Sequence, residues 1–188
     1  MRSKIILILM LLLVYEVQSQ DINNGLYFNV SYFGILGTHP GIKFGVQYPM
    51  ATFNKDAAIF NSHQVIGASN VVMYFHRRNQ VGVGITFEVG YRNRKIGKTN
   101  KEVMVGIGYL RTFIPNRIYQ FSQDGSFISK SFLGTSHFVK TMSLGLGRNL
   151  GSQFDSGFWM IKPTIFHLKP YNSGTTLNFA LDAGYYFR

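Results

Sequence analysis

Hydrophobic and polar positions alternate with a period of two through most of the chain. From 81 to 92, Val81, Val83, Ile85, Phe87, Val89 and Tyr91 fall on one face, and Gly82, Gly84, Thr86, Glu88, Gly90 and Arg92 on the other. Successive side chains of a strand point to opposite faces, so this predicts a strand with one bulky apolar face and one small or polar face. The rhythm recurs. Leu26, Phe28, Val30 and Tyr32 oppose Tyr27, Asn29, Ser31 and Phe33. Ile42, Phe44, Val46 and Tyr48 oppose Lys43, Gly45 and Gln47. It returns with Val103, Val105, Ile107 and Tyr109, with Met142, Leu144 and Leu146, and with the odd-numbered residues from Leu177 to Phe187. Segments 66–77 and 158–169 carry apolar residues on both faces and leave their phase open.

Eight strands follow, at 25–36, 41–53, 63–77, 80–95, 101–114, 136–150, 156–169 and 174–187. Each reaches the ~9–11 residues that a tilted transmembrane strand needs. Turn residues separate them, as at His39-Pro40-Gly41, Arg78-Asn79-Gln80, Gly97-Lys98-Thr99-Asn100, Gly151-Ser152 and 170–174. The longest connection, 115–136, holds two short arms (117–121 and 126–130) around Gln123-Asp124-Gly125, which predicts a hairpin above the fifth and sixth strands. A periplasmic mature N-terminus puts this loop outside, where long loops belong. Segment 54–62 is then long for a periplasmic turn.

A secreted β-sandwich also alternates, and the composition of the faces separates the two cases. A sandwich's solvent face is rich in Lys, Glu and Thr. Here the non-apolar face is mostly Gly, Ser, Thr and Asn, which suits the narrow interior of an eight-stranded barrel, with the bulky face toward lipid. Only 14% of the 188 residues are charged, against about 25% in an ordinary soluble domain. Aromatic residues gather near strand ends (Tyr91, Tyr109, Phe113, Tyr185, Tyr186, Phe187), as interfacial girdles do. The fold class is all-β: an eight-stranded antiparallel transmembrane β-barrel.

The beginning of the chain reads as an address. Arg2 and Lys4 precede an unbroken apolar run from Ile5 to Val14, and Val17-Gln18-Ser19 offers small residues for signal peptidase. This divides the chain into a signal peptide, 1–19, and an outer-membrane barrel, 20–188. The chain has no Cys, which excludes a disulfide framework, a thiolate metal site and a lipoprotein anchor. Removing Arg2, Lys4 and Glu16 from nineteen basic and eight acidic residues leaves a net charge of +10. For an exported protein the matching polyanion is lipopolysaccharide phosphate or an acidic glycan, and not nucleic acid.

Three stretches, Tyr74–Arg92 (YFHRRNQVGVGITFEVGYR), Gly106–Phe113 (GIGYLRTF) and Leu168–Arg188 (LKPYNSGTTLNFALDAGYYFR), resemble small Gram-negative outer-membrane barrels of the OmpA/OmpX type. They are similar in particular to outer-membrane β-barrel proteins of the Bacteroidetes that carry no established activity. The resemblance implies a monomer in the cell outer membrane. Its last strand resembles the signal read by the barrel-assembly machinery, with Phe187 penultimate rather than final.

Candidate chemistry is sparse. Glu88, Arg92, Lys162 and Asp182 are expected in the lumen as a paired polar network, because an unpaired charge there is costly. His76, Arg77, Arg78, Arg111 and Arg117, with Lys130 and Lys140, are expected to form a basic outer rim that contacts lipopolysaccharide. Lipid A acyltransferases and deacylases of this size place His, Ser and a carboxylate near the outer rim. His39, His63, His76, His137 and His167 are available, with Ser136 and Ser173 nearby, but the deacylase pattern of His followed two residues later by Ser-Asn is absent. No metal or cofactor is expected, and an eight-stranded lumen is too narrow for a pore. The expected function is a non-enzymatic structural or surface-interaction barrel. A lipid A-modifying enzyme and a secreted soluble barrel for an apolar ligand are the alternatives.

Overall fold

The computed structural model describes residues 25–35, 39–56, 61–76, 80–95, 99–114, 118–121, 127–130, 133–151, 157–171 and 174–188. The expected signal peptide (1–19), Arg77, Arg78, Arg117 and Ser173 lie outside them. Eight strands form a closed antiparallel barrel. They are β1 (Tyr27–Ile35), β2 (His39–Asp56), β3 (Asn61–His76), β4 (Gln80–Lys95), β5 (Thr99–Ile114), β8 (Leu133–Asn149), β9 (Phe158–Tyr171) and β10 (Gly174–Phe187). β1 closes the ring against β10, from Phe28↔Phe187 to Ile35↔Ala180. The eight predicted strands are these eight. A separate two-stranded hairpin, β6 (Ile118–Phe121) with β7 (Phe127–Lys130), occupies the connection between β5 and β8 at the two arms the sequence marked.

Strands run further than their alternation suggested. β2 reaches Asp56, which pairs with Asn61, so the turn expected at 54–62 shrinks to 57–60. The alternation fades because the register shifts between Pro49 and Ala51 and again between Phe53 and Asp56. Pro49 has no N–H to give the ladder, and a bulge is where a sheet interior accepts that. Past the first shift the inward and outward positions exchange.

The two faces are as unlike as lipid and lumen require. Outward side chains such as Phe87, Ile107 and Leu146 are more than half exposed, whereas Arg92 and Glu102 inside are 0% and 2% exposed. The open phases now resolve. Ile66, Ala68, Val72 and Tyr74 point in, with Val71, Met73 and Phe75 out; Phe158, Met160, Phe166 and Leu168 point in, with Trp159, Ile161 and Ile165 out. Both faces are apolar there because the lumen itself carries apolar layers near each end. Glycine makes the narrow interior passable. A Cβ on Gly45 would lie 2.1 Å from Asn70 Oδ1 and 2.9 Å from Asn29 Nδ2, two side chains of the flanking strands that hydrogen-bond over the glycine at 3.4 Å.

Leu144, which pairs with Val103, stands outward in the middle of the apolar band. Leu144→Arg is expected to lower stability by about 2–4 kcal/mol, the cost of a cation near the bilayer midplane of such a barrel. Equilibrium urea unfolding in liposomes measures it, and an unchanged midpoint would place this face out of hydrocarbon.

Candidate functional site

Two charged regions come out of this fold, one inside the barrel and one on its surface. Inside, Arg92 on β4 donates to Glu102 on β5, through Nε at 2.7 Å and through Nη2, and Nη2 also reaches Gln47 on β2. Lys162 on β9 pairs with the other oxygen of Glu102. A second ion pair joins Lys43 on β2 to Asp182 on β10. All of these side chains are buried. Glu88 stands apart from these pairs and accepts the Thr141 hydroxyl at 3.3 Å.

The four expected lumen residues therefore do not pair with one another. Arg92 and Lys162 share Glu102, and Asp182 takes Lys43, two partners that sequence reasoning left out. Both were readable as inward, since Glu102 keeps phase with Met104 and Lys43 with Gln47. Choosing partners needs the register that brings β4, β5 and β9 to one level.

The ion layer rests on aromatic rings toward the end where the termini lie. The Arg92 guanidinium sits over Phe158 at 4.7 Å from the ring centroid, and Arg94 over the same ring at 5.0 Å. Phe158 stacks on Tyr186 at 4.7 Å, and Lys162 lies 5.0 Å from the Tyr186 centroid. Arg94 also donates to Asn149 and to the Tyr27 hydroxyl. Cations over aromatic faces gain attraction in a place without water. The result is a plug across the lumen.

On the surface, the opposite end of the barrel (the loop end, beside the β5–β8 connection) carries an uneven distribution of charge. Arg111, Lys140 and Lys169 project outward and are exposed, and His167 is half-buried beside them. Lys140 pairs directly with His167, Phe138 with Lys169, and Arg111 with Ser136. Directly opposed residues hold their Cβ atoms about 5 Å apart, so β5, β8 and β9 present one basic patch. Arg111 lies over Phe113 at 5.3 Å, and the Tyr109 and Ser136 hydroxyls meet at 2.6 Å within it. Among the described residues, the outward loop-end positions of the other strands are uncharged: Tyr32, Pro40, Ile42, Met73, Phe75, Val81, Val83 and Leu177.

The expected rim fares unevenly. Arg111 belongs to the patch, while Arg77, Arg78 and Arg117 fall outside the described residues and Lys130 is described only as part of β7. His76 is a correction: strand alternation sends Phe75 outward and turns His76 into the lumen, where its ring centroid lies 4.1 Å from that of His39. The other histidines scatter. His137 is buried with its Nε2 3.1 Å from the Thr112 hydroxyl, and His63 meets the Tyr91 hydroxyl at the far end of the barrel. Among the described residues no group of three or more His, Cys, Asp or Glu could hold a metal ion.

No protein-family model matches the sequence, and no curated protein matches it significantly. Among solved structures, the outer-membrane enzyme PagL is similar, with a TM-score of 0.50 over 86% of this chain and 98% of its own, at 8% identity. At that identity the likeness is one of fold, and it agrees with the closed ring of eight strands: this chain has the architecture of a small outer-membrane barrel.

The buried triad gives a direct test. Glu102→Gln leaves Arg92 and Lys162 facing each other without compensation, and a loss of about 3–5 kcal/mol is expected, as for other broken buried pairs. Adding Lys162→Met should restore part of it. Unfolding midpoints of the single and double variants in liposomes measure both effects, and a single variant as stable as the parent would remove the network from the account.

Proposed function

We propose that this chain is a non-enzymatic outer-membrane barrel that engages the phosphate groups of lipopolysaccharide through the basic patch on β5, β8 and β9. The carrying observation is the clustering of that patch: Arg111, Lys140, His167 and Lys169 stand on three adjacent strands, while among the described residues the outward loop-end positions of the other strands are uncharged. A cation on the lipid face is costly at mid-bilayer and nearly free at the interface, where long side chains reach headgroups while their stems stay in hydrocarbon. Guanidinium and ammonium groups there meet phosphate with charge-assisted hydrogen bonds. In this reading the loop end faces outward, toward the leaflet that holds lipopolysaccharide, and the plugged lumen conducts nothing. The narrower likeness to Bacteroidetes barrels, the monomeric state and delivery by the barrel-assembly machinery through β10 belong to the same proposal.

The triple variant Arg111→Gln, Lys140→Gln, Lys169→Gln is expected to bind purified lipopolysaccharide about tenfold more weakly or worse, since each lost charged hydrogen bond is a sizeable part of such an affinity. The control variant Lys95→Gln, Lys101→Gln, Arg148→Gln removes as many charges from the opposite end and should bind like the parent. Equal affinities of parent and triple variant would refute the patch. Mass spectrometry of lipid A from cells with and without the gene is expected to give identical spectra; altered acyl chains would make the protein a lipid A-modifying enzyme instead.

A further inference from the structure

The ion layer divides the lumen into unlike parts. On its loop-end side, Phe33, Val72, Tyr74, Leu110, Val139 and Phe166 belong to one buried apolar cluster. Within it lies a cavity of ≈ 40 Å³. One water needs roughly 10–15 Å³ of such space, so the cavity has room for several heavy atoms.

Its floor is polar, with Lys43, Glu88, Thr141, Thr164 and Asp182 all lining the cavity. Lys43 is committed to Asp182 Oδ2, which also accepts the Thr164 hydroxyl at 3.4 Å. Asp182 Oδ1 is buried without a hydrogen-bond partner, on a residue only 2% exposed. Glu88 receives the Thr141 hydroxyl and takes no part in the three ion pairs. The cavity thus carries two carboxylates and one ammonium, with Lys162 close enough in the adjoining ion layer to act on Glu88; what it has left over is acceptor capacity, under a wall of hydrocarbon and aromatic rings.

From this we infer that the cup binds a small alkylamine, its ammonium on Asp182 Oδ1 and Glu88 and its short alkyl body among Phe33, Phe166, Leu110 and Val139. An ammonium brings donors and no acceptor, which is what the floor lacks. A buried acceptor left unmade is costly, so filling it is worth more than an ordinary hydrogen bond. The body gains by leaving water for the apolar wall. The reverse orientation would set hydrocarbon against carboxylates and leave Oδ1 unpaired. A carboxylate ligand would be repelled by Glu88 and Asp182. The site is internal and shares no residue with the surface patch.

The test uses the folded barrel in phosphatidylcholine nanodiscs and fluorine NMR of 2-fluoroethylamine, with 2-fluoroethanol and fluoroacetate as comparators. Saturable binding of the amine is expected, with the alcohol weaker and the carboxylate not bound. Glu88→Gln should weaken the amine about tenfold or more, the usual worth of a charged hydrogen bond. Val139→Phe, which fills the cup, should abolish binding, with Leu110→Phe in its place if that variant fails to show the mobility shift of a folded barrel. The triple surface variant should bind the amine like the parent, so failure of the patch and failure of the cup are separate results. No saturable binding to the parent, equal binding after the cup is filled, or alcohol and carboxylate binding as tightly as the amine would each overturn the assignment.

Discussion

Everything in this molecule depends on the need to satisfy backbone hydrogen bonds where no water can do so. An unpaired peptide group in hydrocarbon costs several kcal/mol, so a sheet can cross a membrane only if it has no edge. The seam between β1 and β10, the first and last strands in sequence, meets that requirement. Once the ring is closed with eight strands, its interior is narrow, and that width governs every inward side chain. The glycines at 45, 106 and 184 stand where a Cβ would strike an inward side chain of the neighbouring strand.

The narrowness also explains how the lumen holds charge. Arg92, Glu102, Lys162, Lys43 and Asp182 are withdrawn from water and kept together, each ion with an opposite ion in contact. Such an arrangement does not make a barrel much more stable than an apolar filling of the same volume would, but removal of one partner is severe. The aromatic rings of Phe158 and Tyr186 beneath the cations close the end where the termini lie. What remains open is the other end, where apolar walls stand over a floor with spare acceptors.

The two proposed sites differ in electrostatic character. The outside of β5, β8 and β9 is positive next to an apolar band, the setting proposed for anionic headgroups. The cavity inside sets Glu88, Asp182 and Lys43 under an apolar wall, the setting proposed for an ammonium. The fold likeness to an outer-membrane enzyme carries no chemistry across at 8% identity.

Much of the fold was legible from the chain alone, because alternation is a local property. Each strand declares its faces through residues two apart, so eight strands, their apolar outer surface and even the loop hairpin could be read in order. The phase failed at 66–77 and 158–169, where the lumen is apolar and the two faces no longer differ in kind. The extension of β2 was hidden by bulges that break the period, and His76 was misread because its place beside Arg77 and Arg78 suggested a rim, whereas its parity sends it inward. Partnership was not legible at all. Glu102 and Lys43 were plainly on the polar face, yet which cation meets which carboxylate depends on stagger between strands up to 139 residues apart in sequence. The basic patch depended on it too, since Arg111, Lys140, His167 and Lys169 come from three strands that only the closed register sets side by side. Periodicity within a strand is written in neighbouring residues; register between strands is a property of the closed ring, and only the tertiary structure decides it.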